Sequence, residues 1–488
     1  MNITSVEFLV FTLIVLGLYY VIPHKAQNLL LLIASYIFLT SWNVQFAIVF
    51  FILTLLNYGA ALLVANKGMN GKIALYLGIS VNILTLVYFK YANFYIPSAI
   101  NLLEKLGIKI GSADIQILLP IGLSFFVVQV ISYLVDVSKG ISSPVTNVID
   151  FALYMVYFPR VISGPIERSR SFMLKLQNKR TIDKTQLSES IVLLVQGLVR
   201  KIIIADLLFY IMPYNVFSEP QKFSSPELVL WLLAYSLAIY NDFAGYTSIV
   251  RGISGLFGIP LVENFKTPYL SRNFTEFWQR WHISLSNWLR DYIFMPATRY
   301  FRSRRSTLND ILSIIIPPLV TMFISAIWHN ASWNLLVWGG LYGVYLVVER
   351  FITIRNPTKQ VNAQSTWKHL PAMLLVFVLV ALAWVPFRTN LSATLQYWIG
   401  LLSPARWFNA FVNFDFVRHQ VVNRYGLDVV LLVGLSIILD ISHDRFGELA
   451  VLRSPIPIRA VILNLAIFGL IIATLAMSVP PPFVYQGF

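Results

Sequence analysis

The sequence predicts an all-α polytopic integral membrane protein, one membrane domain over residues 1–488. Three observations predict it. Hydrophobic residues make up 57% of the chain and charged residues only 12%, against about 45–50% and about 25% in soluble domains. Apolar runs recur from Phe8 to Met477, and no stretch between them is polar enough to form a separate aqueous domain. The excess of 37 Lys and Arg over 22 Asp and Glu is gathered in a few loops, the pattern that marks the cytoplasmic side of a membrane protein. No nucleic-acid partner is expected from it.

The elements follow in order. Met1 to Val6 carries no Lys or Arg and no small-residue cleavage site follows, so the first apolar run reads as a transmembrane helix rather than a cleaved signal. The run from Ala26 to Asn66 holds no charge, and at twice the roughly 20 residues that span a bilayer it must fold back, at Ser41-Trp42-Asn43. Along the whole chain there are roughly thirteen apolar segments of helical length, of which about eleven meet the spanning criterion. Leu118 to Val137 is expected to be re-entrant: Pro120 and Gly122 break it, and Gln129 and Asp136 are costly against lipid. There is no internal repeat. Six basic residues face Glu167 and Asp183 between Glu167 and Lys184, and seven arginines face Glu276 and Asp291 between Arg272 and Arg305. Both stretches, with the loops at Lys67–Lys72 and Arg350–Lys368, are expected in the cytoplasm, and the N-terminus outside.

The chemistry is narrowed by absences. No Walker A loop, Rossmann glycine fingerprint, His-Glu-x-x-His or Gly-x-Ser-x-Gly is present, which argues against an ATPase or a metalloprotease. The lack of cysteine removes thiolate nucleophiles, thiolate metal sites and disulfides. No metal site and no bound cofactor is expected. Among six histidines, His282 and His329 stand out.

His282 lies in Phe277 to Tyr292, where Trp281, Arg280, Trp288 and Arg290 recur at helical spacing. An interfacial amphipathic helix anchored by tryptophans and snorkelling arginines has this pattern, and so does a site segment. His329 falls in Trp328-His329-Asn330, between the apolar runs Ile311–Ile327 and Leu335–Val348. A titratable ring at that depth marks a functional site or a hydrogen bond to a neighbouring helix. Asp242, within Tyr240 to Tyr246, interrupts a third apolar run, and its simplest reading is a carboxylate paired with an arginine such as Arg251.

Several fragments occur together in one order: Phe89-Lys90-Tyr91-Ala92-Asn93-Phe94, Leu119 to Phe126, Phe158-Pro159-Arg160 with Ser163-Gly164-Pro165-Ile166, Asp242 to Tyr246, Glu263-Asn264-Phe265, Phe277 to Asp291, Trp328-His329, Trp338-Gly339 and Ala383 to Arg388. In these the sequence resembles the membrane-bound O-acyltransferase family over nearly its whole length. The resemblance is to the bacterial alginate O-acetyltransferase branch, with the teichoic-acid D-alanyl transferases as near relatives. It departs from the family pattern in having Asn330 after the histidine, where glycine is usual, and Pro296-Ala297-Thr298 after the Arg-Asp-Tyr element.

The resemblance implies a ring of helices around a cavity through the membrane. A cytoplasmic thioester, acetyl-CoA or an acyl-carrier protein, would supply the acyl group. The acceptor would be an exported glycan or an extracytoplasmic SGNH-type acetyltransferase partner, and the location the bacterial cytoplasmic membrane, in contact with its lipid. His329 aligns with the family's near-invariant histidine and His282 with its second polar position. Moving an acyl group from a thioester to an alcohol needs a base whose pKa lies near neutrality, which fits imidazole. It also needs a donor to the carbonyl oxygen, a role open to His282, Asn330 or a Trp N–H such as that of Trp281. Arg280, Arg290 and the arginines up to Arg305 are candidates for holding donor phosphates, or simply mark topology. Asp242 is a candidate for the cavity lining. The competing class is a transporter or flippase with a polar pathway through Asp242, His282 and His329 and no bond chemistry.

Overall fold

The computed structural model describes residues 1–107, 117–181, 183–304, 306–355, 367–412 and 426–477. Arg305 and residues 356–366 of the expected cytoplasmic loops lie outside them. The described residues form helices and no strand. Among the described residues eight helices are long and apolar enough to cross a membrane: α3 (Val44–Ala65), the Met69–Asn93 part of α4 (Met69–Lys105), α10 (Ser225–Leu256), α14 (Thr307–His329), α15 (Trp333–Arg355), α16 (Leu370–Arg388), α19 (Gly426–Phe446) and α21 (Ile456–Ala476). Two apolar helices, α1 (Val6–Val21) and α5 (Leu123–Ser138), have 16 residues each, roughly 24 Å of rise. The chain is therefore an all-α polytopic membrane protein. Its remaining helices are α2 (His24–Thr40), α6 (Val148–Val156), α7 (Ser169–Gln177), α8 (Lys184–Leu198), α9 (Leu207–Ile211), α11 (Phe274–Arg280), α12 (Ile283–Leu289), α13 (Met295–Arg302), α17 (Leu391–Leu402), α18 (Pro404–Val412) and α20 (Ala450–Arg453). The chain divides into two compact units, Met1–Ser190 with Val250–Val262, and Ile191–Ile249 with Glu263–Phe488.

In the first unit the uncharged run folds back where expected. Helix α2 ends at Thr40, and Asn43 starts α3 by accepting the Gln45 amide on its side chain at 2.7 Å. Helices α3 and α4 are joined by a buried amide pair, Asn82 Nδ2 donating to Asn57 Oδ1 at 2.7 Å and Asn57 Nδ2 returning the bond at 3.2 Å. Such interhelical amides hold apolar helices together where lipid offers no hydrophobic drive. The break before α5 is set by Gly122, in the left-handed region at φ 86°, where a Cβ would stand 2.3 Å from the Val161 carbonyl oxygen. Helix α5 is enclosed along most of its length. Its Gln129 donates to the Tyr154 carbonyl at 2.6 Å and accepts from the buried Arg160 guanidinium, while Asp136 is also shielded.

In the second unit the C-terminal half of α8 runs into a π-helical turn, Val199–Asp206, a wider winding found often near functional sites. Gly197 and Gly245 let this segment and α10 approach backbone to backbone: a Cβ on Gly245 would lie 2.7 Å from the Gly197 oxygen and from the Lys201 nitrogen. The π turn sends two successive cations inward. Arg200 reaches Asn241 at 2.8 Å and Asp440 of α19 at 2.7 Å, and Lys201 reaches Asp206 at 2.5 Å and Asp242 at 2.9 Å. Asp242 thus finds a cation, but a lysine rather than Arg251. The reason is helical geometry: Arg251 lies nine residues further along α10, half a turn round at 3.6 residues per turn, so the two side chains leave on opposite faces. Arg251 donates instead to the Leu261 carbonyl.

Candidate active site

Helix α11 starts from Asn273, whose side chain accepts the Glu276 amide at 2.7 Å, and its first free amide, Phe274 N, is met by Glu349 of α15 at 2.6 Å. The helix ends at Arg280. Trp281 is extended, and His282 then turns into the left-handed region at φ 43°, ψ 54° before α12 begins. The amphipathic segment read in the sequence is therefore two short helices with a bend at the histidine. A strap, residues 264–267, runs beside the bend: Lys266 N donates to the Arg280 carbonyl at 3.0 Å, and Ile283 N to the Asn264 carbonyl at 2.9 Å. Asn264 Oδ1 also accepts the Ser284 amide at 3.0 Å and its hydroxyl at 2.9 Å.

The imidazole of His282 is 1% exposed. It meets the Phe243 ring edge-on at 4.8 Å and the Trp328 ring at 6.4 Å between centroids. His282 lies outside the eight long helices, and its burial pushes the ring pKa down to about 3, so this imidazole is neutral.

His329 is the last residue of α14. Pro317 and Pro318 lie within this helix, and α15 packs closely on it at two glycines. A Cβ on Gly339 would meet the Met322 carbonyl at 2.7 Å, and one on Gly343 the Leu319 side chain at 2.8 Å. The close crossing brings Trp338 to the His329 ring at 5.4 Å; Phe387 of α16 lies at 5.3 Å and Trp328 at 4.9 Å, each edge-on. Trp328 is a ring neighbour of both histidines. Neither ring is turned outward, since His329 is 4% exposed.

The other candidates divide. Trp281 belongs to the cluster, 5.1 Å from Phe265 and 5.0 Å from Trp384. Asp242 neighbours Phe243 in sequence but gives its carboxylate to Lys201. Arg280 is held by Glu276 at 2.8 Å and Asp444 at 3.1 Å, and Arg290, more than half exposed, by Asp291 at 3.0 Å. Asn330 is exposed and accepts the Ala331 amide on its own side chain. Sequence reasoning from single residues missed Phe243, Trp338 and Phe387 as ring walls. Their only signal was membership in the ordered fragments.

The membrane-bound O-acyltransferase family model matches residues 126–383, a stretch that contains both histidines and the Trp338 wall. The chain belongs to the membrane-bound O-acyltransferase family. As a member it is an O-acyltransferase and a multi-pass membrane protein. It is 36% identical over 437 residues to "Probable alginate O-acetylase AlgI" of Pseudomonas putida, covering 88% of this chain and 84% of that protein. A "Peptidoglycan O-acetyltransferase" of Helicobacter pylori is 29% identical over 79% of this chain and 76% of its own length. A "Teichoic acid D-alanyltransferase" of Streptococcus thermophilus is 25% identical over 61% of this chain and 76% of its own.

Proposed function

We propose that this acyltransferase moves an acetyl group from a cytoplasmic thioester, acetyl-CoA, to a hydroxyl of an exported polysaccharide or cell-envelope glycan, directly or through an extracytoplasmic SGNH-type acetyltransferase. The protein would then sit in the bacterial cytoplasmic membrane. The observation that carries the reading is the pair of buried imidazoles that share Trp328 as a ring neighbour. The glycan acceptor is supported by the names of the relatives, which refer to alginate, peptidoglycan and teichoic acid.

In this reading His329 is the general base. Its ring takes the proton of the acceptor hydroxyl as the oxygen attacks the thioester carbonyl, the carbon–sulfur bond breaks, and the imidazolium returns the proton to the departing thiolate. The sum is ester plus free thiol, with no net proton. His282, neutral when buried, is suited to donating a hydrogen bond to the carbonyl oxygen as charge develops there. A ring with a pKa near 3 is a poor base at neutral pH, which favours this division of roles. Arg290, Arg299, Arg302 and Arg304 in and around α13 supply cations for the donor's phosphates or for an acidic carrier protein.

The test is transfer of labelled acetyl from acetyl-CoA to a glycan or partner protein in reconstituted membranes. His329→Ala should cut transfer by about 10²–10⁴, the usual contribution of one acid–base group, while leaving insertion intact. His282→Ala should slow it less. Wild-type turnover in His329→Ala would refute the base assignment and favour a transporter.

A further inference from the structure

We infer that Asn264 is a positioning residue that caps α12 from outside the helix and so holds the bend that places His282. The inference rests on the proposed role of His282. A residue at a helix N-cap ordinarily uses its own side chain to satisfy the first free amides. His282 occupies the N-cap of α12 yet makes no side-chain cap bond. The work passes to Asn264, 1% exposed, whose main-chain carbonyl takes the Ile283 amide and whose Oδ1 takes the Ser284 amide and hydroxyl.

The same strap explains how His282 keeps its backbone angle. A non-glycine residue at φ 43° is strained and persists only where its surroundings over-determine it. Asn264 holds the Ile283 and Ser284 amides just after the histidine, and Lys266 holds the Arg280 carbonyl two residues before it, so the chain is tied on both sides of the bend. Relaxing the bend would swing the imidazole off Phe243 and Trp328. Asn264 therefore acts through His282 rather than on the reacting atoms.

The experiment compares full-length Asn264→Ala, Asn264→Asp, His282→Ala and the double variant Asn264→Ala/His282→Ala, reconstituted in vesicles with labelled acetyl-CoA. Asn264→Ala should lower kcat roughly ten-fold, as expected for a lost cap that misplaces one group, with the KM for acetyl-CoA within about two-fold. Asn264→Asp keeps an acceptor at the helix start and should recover most of the rate. The double variant should be no slower than His282→Ala alone, because the two changes break one unit. Hydrogen exchange over residues 281–289 should quicken in Asn264→Ala and not in Asn264→Asp. Multiplicative losses in the double variant, or unchanged exchange at α12, would overturn the inference. If Asn264→Ala fails to insert, Asn264→Ser, whose shorter hydroxyl falls short of Ser284, takes its place with the same expectations. Wild-type turnover in His282→Ala would instead sink the catalytic reading, with exchange still deciding whether Asn264 is the cap.

Discussion

Replacing Lys201 by methionine removes the cation from between Asp206 and Asp242. All three side chains are at most 4% exposed, with the ammonium 2.5 Å and 2.9 Å from the two carboxylates. At 2.9 Å the attraction between unit charges is about 6 kcal/mol for an effective dielectric of about 20. Desolvation of the buried groups offsets much of that, but the offset is already present in the folded protein, and deleting one partner leaves the others buried and uncompensated. The expected net loss is therefore about 3–5 kcal/mol, a large part of the roughly 5–15 kcal/mol that holds a typical domain folded. Denaturant unfolding in detergent micelles, followed by tryptophan fluorescence, should show Lys201→Met unfolding far earlier than wild type. The triple variant Lys201→Met/Asp206→Asn/Asp242→Asn, which removes the charges together, should recover most of the loss. A single variant that unfolds within about 0.5 kcal/mol of wild type would refute the argument that this cluster holds the π turn to α10.

Other expectations follow from the same geometry. Gly122→Ala puts a side chain on a left-handed residue and against the Val161 carbonyl, and should cost roughly 2 kcal/mol or more. Gly17→Ala, which meets no neighbour within 4 Å, should be neutral or slightly stabilising in the same melting assay. Gly339→Ala presses on the Met322 carbonyl and should move Trp338 off His329, lowering transfer by roughly ten-fold or more while the protein still inserts.

The helical hairpin at Ser41 to Asn43, the break at Gly122 and the shielding of Gln129 and Asp136 were legible in the sequence, because charge-free length and breaker residues act locally. His282 and His329 were legible as a type of residue too costly to leave idle in an apolar chain. The partner of Asp242 was not, since it depends on a π turn that rotates Arg200 and Lys201 inward together, and no residue pattern marks that turn. The bend at His282 was also hidden: Phe277 to Tyr292 has a helical period throughout, and only the strap at Asn264 to Thr267, a dozen or more residues upstream, forces it open. The ring walls around His329 come from α15 and α16, so their assembly is a tertiary fact.

Those walls bear on what the protein avoids. A thioester is an energy-rich bond that water also cleaves, and any base able to activate a sugar hydroxyl can activate water as well. His329 is boxed by Trp328, Trp338 and Phe387, each presenting a ring to it. None of these ring faces offers a water molecule the several polar partners it needs to settle beside the imidazole. In the proposed reaction a donor waiting at this site would be spent on the glycan rather than wasted, and the selectivity between two hydroxyl nucleophiles, sugar and water, would lie in the aromatic lining more than in the histidine.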